Sequence, residues 1–152
     1  MKRLLASFLF LLILASCNKD KFTSQPQIRF NSLNPNYWTS DNTSFFGPKL
    51  SFNLRDAEGD FGFEDVGISY VYIRNAADSV SPPDSLPFPN MPITGKNNLD
   101  VDVEVDIVSA LPPANIPGNF TDTIYYDIYV KDFAGNKSNV VRTTTPLFYY
   151  TP

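Results

Sequence analysis

From residue 26 to residue 150, apolar residues recur mostly at every second position, and turn-forming residues interrupt them every eight to fifteen positions. Alternation of that kind turns one side of an extended chain toward a core and the other toward water, so it predicts strands and an all-β domain. The cleanest case is 99–107: Leu99, Val101, Val103, Val105 and Ile107 face one way, and Asp100, Asp102, Glu104 and Asp106 face the other. Ile28 and Phe30 alternate with Gln27 and Arg29, and Leu50, Phe52 and Leu54 with Ser51, Asn53 and Arg55. Ile124, Tyr126, Ile128 and Val130 oppose Tyr125, Asp127, Tyr129 and Lys131. In 67–74 both faces carry apolar side chains, Ile68, Tyr70 and Tyr72 against Val71 and Ile73, which predicts a central strand covered on two sides. Residues 140–150 supply a last strand, with Pro146 marking a bulge, an edge or a change of sheet.

All 13 prolines follow Cys17, and five of them crowd into 82–92. Proline donates no ladder hydrogen bond, so this stretch is excluded from a central strand and reads as an extended crossover between two sheets. About seven short strands and one long crossover predict a Greek-key β-sandwich. The run Tyr126-Asp127-Ile128-Tyr129-Val130-Lys131-Asp132-Phe133-Ala134-Gly135-Asn136-Lys137-Ser138 resembles the penultimate strand and hairpin of bacterial immunoglobulin-like modules, and the whole of 26–150 loosely resembles an immunoglobulin-like or fibronectin type III-like domain. Apart from the resemblance, Gly135 can take a positive φ and Asp132 can bond the amides of a turn.

The first residues have another character. Met1, Lys2 and Arg3 form a positive start, and residues 4–15 are apolar except for Ser7. This is the pattern of a secretory signal helix, too short at 1.5 Å per residue to cross a hydrocarbon core of about 30 Å. Leu14-Ala15-Ser16-Cys17 follows, with the chain's one cysteine last, and it resembles the lipobox of bacterial lipoproteins. That resemblance implies transfer of a diacylglyceryl group to the Cys17 sulfur, cleavage before Cys17, and acylation of the new amino group. The domain plan is then a signal peptide over 1–16, a flexible polar tether over 17–25 and the sandwich over 26–150. Several acyl chains make a stable anchor where one is marginal. Asn18 stands where an Asp would resemble an inner-membrane retention signal, so the expected site is the outer membrane of a Gram-negative cell.

Composition narrows the chemistry. The 152 residues are 43% apolar and 14% aromatic, enough for one core-forming domain. With no His and 1 Cys, the chain cannot build a Ser-His-Asp triad, a His-ligated zinc site or an internal disulfide. A net charge of -4, with no basic cluster beyond the first residues, excludes nucleic acid as an expected partner. Neither a Gly-x-Ser-x-Gly elbow nor a phosphate-cradling glycine loop is present, so no enzyme is expected; a carboxylate-based glycosidase is the remote alternative.

Three groups are candidate binding features. Asp56, Glu58, Asp60, Glu64 and Asp65 fall within ten residues that also hold Gly59 and Gly62. The plainer reading, and the favoured one, is a solvated acidic turn whose Asp residues bond local amides; the alternative is a loop for Ca²⁺, which seeks several oxygen ligands. Phe61 stands where an EF-hand needs glycine, so that motif is excluded. The row Asp100, Asp102, Glu104 and Asp106 is expected to be a solvated strand face, since next-nearest residues on a strand lie about 6.6 Å apart. Tyr37, Trp38, Tyr125 and Tyr129 offer aromatic faces for a glycan, against core or cross-strand packing as the commoner use. Ser79, Ser85 and Thr123 each follow Asp and precede an apolar residue, a pattern that resembles an O-glycosylation acceptor of exported proteins in one group of Gram-negative bacteria. The expected function is a lipid-anchored envelope module, non-catalytic, with a binding or structural role. A Ca²⁺-stabilised or glycan-binding accessory lipoprotein is the alternative, and an envelope protein or a glycan is the expected partner.

Overall fold

The computed structural model describes residues 22–41, 46–64, 67–90, 97–113 and 119–152. Residues 1–21, which include Cys17 and the segment read from sequence as a signal peptide, lie outside the described residues. Those described form twelve strands: β1 (Gln27–Asn34), β2 (Tyr37–Thr39), β3 (Lys49–Asp56), β4 (Phe63–Glu64), β5 (Gly67–Ile68), β6 (Tyr70–Asn75), β7 (Asp84–Pro87), β8 (Leu99–Asp106), β9 (Phe120–Ile124), β10 (Tyr126–Lys131), β11 (Val141–Arg142) and β12 (Leu147–Thr151). One 3₁₀ turn over Val108–Ala110 is the only helical element among the described residues.

One sheet has the order β1-β3-β8 and a second β11-β10-β6-β7. The chain crosses from the first sheet to the second after β3, returns to the first after β7, and leaves it again after β8, so the two sheets are built from interleaved segments. The long strand expected over 124–131 is divided at Tyr125, and the last strand is divided around Pro146. Beyond each break β9 and β12 leave the second sheet and join β2 in a third, ordered β2-β12-β9. Pro146, which has no N–H to offer a ladder, sits at this change of sheet.

Alternation fixes the core as expected. Leu50, Phe52 and Leu54 of β3, Val71 and Ile73 of β6, and Ile128 and Val130 of β10 are fully buried in one apolar cluster with Leu99, Val103, Val105 and Ile107. A register shift between Phe30 and Ser32 bulges β1, so Leu33 also reaches the core three residues after Phe30 instead of two. Two expectations need correction. β6 is covered on one side only: Tyr70 and Tyr72 are half-buried on the outer face, and Ile68 is exposed. There Tyr72 stacks on Tyr129 at 4.7 Å, with the Lys137 ammonium 4.0 Å from the Tyr129 ring centre. Cross-strand aromatic packing therefore does what an added layer would have done. The proline-rich stretch, read as a crossover alone, also contributes β7, an edge strand paired with β6 whose Pro87 lies opposite Tyr70. At an edge, one missing donor costs the ladder little.

The hairpin after β10 follows its sequence chemistry. Gly135 has φ 85°, and the Asp132 carboxylate accepts from the Asn136 amide at 2.7 Å and from Asn136 Nδ2 at 2.8 Å. Asn139 then substitutes for a strand partner: its side chain accepts from Ile28 N–H at 2.7 Å and donates to Ile28 C=O at 2.9 Å, tying β1 to the second sheet.

Candidate metal centre

Two strands from opposite sheets carry their inward phase one step past the last apolar residue. In β3 the inward positions run Leu50, Phe52, Leu54, Asp56; along β10 they run Tyr126, Ile128, Val130 and, just beyond the strand, Asp132. Both strands end at the same end of the sandwich, so two carboxylates meet across the bottom of the core where two apolar side chains would ordinarily pack. The loop after β3 adds a third, Asp60. One carboxylate oxygen from each of Asp56, Asp60 and Asp132 lies within 4.8 Å of the other two.

Backbone contacts hold this geometry. Gly59, at φ 66°, turns its N–H back to Asp56 Oδ2 at 2.6 Å. The Phe133 amide donates to the Asp60 carbonyl at 3.0 Å, fastening the loop to the hairpin. The incoming chain is stitched to the same two elements: Thr23 C=O accepts from Ala57 N–H at 3.2 Å, Ser24 Oγ donates to Glu58 at 2.6 Å, and Gln25 Nε2 donates to Lys137 C=O at 2.9 Å. Residues 23–25, assigned to a flexible tether from sequence, thus belong to the folded end.

The electrostatics are unbalanced. Asp56 is wholly buried and Asp132 nearly so, and neither forms an ion pair with a Lys or Arg among the described residues. Asp56 Oδ1 and Asp60 Oδ1 are buried with no hydrogen-bond partner. Burial pushes the Asp56 carboxyl up to about 6; the Gly59 amide opposes this, and the charges of Asp60, Glu58 and Asp132 add to it. Asp60 is raised as well, by burial first and by Asp132 next. Burying a carboxylate without a partner is costly, so an arrangement with two orphaned oxygens and no ion pair among the described residues is suited to hold a proton or a cation.

The structure divides the five acidic candidates. Asp56 and Asp60 come together, while Glu58 points outward to Ser24; Glu64 enters the β4–β5 pair by its backbone, and Asp65 lies outside the described residues. The expectation of a solvated turn fails for Asp56, which does bond a local amide but has no exposure. Asp132 was legible only as a turn residue. Its place in the inward phase of 126–132 was the available signal, and opposing it to Asp56 required knowing how the sheets face each other.

The other candidates are dispersed. Trp38 is buried in the core, Tyr129 is stacked on Tyr72, and of the two exposed residues Tyr37 lies on β2 and Tyr125 at the break between β9 and β10, so the four make no common platform. Phe148 and Tyr150 instead share the outer face with Tyr37: Phe148 is the register partner of Tyr37, and both are more than half exposed. Ser79, Ser85 and Thr123 are all exposed. Comparison of the chain with protein-family models, with curated proteins and with solved structures gives no match.

Proposed function

We propose that this chain is an exported, lipid-anchored β-sandwich module of the bacterial envelope, with a binding or structural role and no catalytic one. The observation that carries the reading is the sequence context of Cys17: a positive start, an apolar stretch of signal length, small residues, and then the single thiol. The placement of the fold is compatible with it. Because residues 23–25 are already bonded to the domain, only 18–22 would separate the acylated residue from the sandwich. Five extended residues reach at most about 18 Å. The end that carries the carboxylates would therefore lie close to the headgroups, and the exposed row of Tyr37, Phe148 and Tyr150 would lie at the far end, open to a partner.

Replacing Cys17 by Ser tests the anchor. The expected result is an unprocessed precursor or loss of the protein from the membrane fraction, with acylated Cys17 as the first residue of the wild-type protein by mass spectrometry; unchanged partition and processing would overturn it. Glycan binding is the second reading, favoured by that exposed aromatic row, since sugar rings stack on such faces. Retardation of the wild-type protein, but not of Tyr37→Ala with Phe148→Ala, in a polysaccharide gel is its expected mark; equal mobility removes it.

A further inference from the structure

We propose that Asp56, Asp60 and Asp132 form a binding site for a divalent, oxygen-seeking cation, Ca²⁺, which staples the loop after β3 to the hairpin after β10 at the end where the anchored segment joins the domain. The site stands on the folded chain and holds whether or not Cys17 carries lipid. Its first support is spacing: oxygens about 2.4 Å from a common Ca²⁺ are at most about 4.8 Å apart, the limit within which these three carboxylates lie. Independent of the clustering is the burial of Asp56, whose side chain is wholly buried and whose Oδ1 has no hydrogen-bond partner. A buried, unpartnered carboxylate oxygen needs a proton or a cation, and no basic side chain of the described residues forms an ion pair with the three. The donor set is all oxygen in a chain with no His, which favours a hard ion over zinc or copper. Three carboxylates on a divalent ion leave one net negative charge, and backbone carbonyls or water complete the six to eight ligands that Ca²⁺ takes.

One ion would join elements from both sheets. Thr23 and Ser24 bond the loop, and Gln25 bonds the hairpin, so the ion would also fix the direction in which the chain leaves toward residue 17. Closing the C-terminal ends of β3 and β10 on a common ligand would brace the end of the sandwich that the incoming chain joins.

The test uses the full chain, expressed with its own leader and purified in detergent, stripped with EGTA and titrated with Ca²⁺ alone. Calorimetry should show one ion per chain, and saturating Ca²⁺ should raise Tm by about 5–10 °C, reversed by EGTA. Hydrogen exchange of peptides covering 56–62 and 131–138 should slow at least tenfold. Asp132→Asn keeps an oxygen for the Asn136 amide and should bind Ca²⁺ at least tenfold more weakly. Asp60→Asn, on the exposed side of the group, gives the same reading if Asp132→Asn does not fold. Asp102→Asn on β8 should titrate like the wild type. An unchanged Tm and no heat at 5 mM Ca²⁺ overturns the site, and so does a full response in either cluster variant. Equal or tighter binding of Mg²⁺ overturns the assignment to Ca²⁺.

Discussion

Two groups of acidic side chains lie on this domain, and only one is neutralised by its surroundings. On the outer face of β8, an edge strand, Asp100 meets Arg55 at 3.1 Å, Glu104 meets Lys49 at 2.7 Å, Asp102 accepts from Asn31 at 2.9 Å, and Asp106 accepts from the Val108 amide at 2.8 Å. Each is wet and partnered, and the row also discourages another strand from pairing there. At the end of the core, Asp56, Asp60 and Asp132 face one another with two oxygens unpartnered. In sequence the β8 row is the more conspicuous, with four carboxylates in perfect alternation, yet water and nearby cations account for it. Burial and the missing partners, not the number of acids, separate a ligand site from a solvated face.

The contrast can be broken most strongly by pH. In EGTA the Asp56 carboxyl titrates near 6 in the folded chain and near 3.8 when unfolded. Between those values the folded state holds the extra proton, so stability falls as pH rises from about 4 to about 6, by up to about 3 kcal/mol from this group alone. Denaturant melts of the metal-free chain at pH 5 and pH 7.5 should show the higher midpoint at pH 5; a flat or opposite profile contradicts the unpartnered burial of Asp56. Next in size, Asp56→Asn removes the buried charge and should raise metal-free stability at pH 7.5 by about 1–2 kcal/mol, while losing the gain on adding Ca²⁺. A variant destabilised equally with and without the ion would show the carboxylate to be structural only.

The Asp127–Arg142 pair gives a smaller effect with another window. Arg142, bonded through Nε at 2.8 Å, holds the Asp127 carboxyl below its usual range. Its support is present above about pH 4 and lost as pH falls through the lowered value. Asp127→Asn should therefore lower Tm by about 1–3 °C at pH 7, with the difference closing toward pH 2 in thermal melts. Smallest of all, Glu104→Gln on the β8 row should move Tm by less than about 1 °C, because an exposed ion pair contributes little. A shift as large as that of the cluster variants would erase the distinction between the two groups.

The β-sandwich was legible because β3, β8 and β10 alternate without error: their inward side chains are those that period two selects. Trp38 was harder, since β2 has three residues and too few positions to show a period. The edge strand β7 was hidden by its own prolines, which exclude a central strand but not an edge. Two of the three carboxylates of the candidate site were also visible. Asp56 and Asp60 stood in the acidic loop, whereas Asp132 lies 76 positions after Asp56 and reads locally as a turn former. Nothing local pairs them, because the register between strands of facing sheets is a tertiary property. The same phase rule that placed Leu54 and Val130 in the core also places the two Asp residues that follow them.

The most direct measurement is a crystal structure of the chain grown with Ca²⁺ and then with Tb³⁺ in its place, read by anomalous scattering. The expected result is one strong peak bounded by carboxylate oxygens of Asp56, Asp60 and Asp132 at about 2.3–2.6 Å. A map with no peak there, or with the metal only along Asp100, Asp102 and Glu104, would contradict the account.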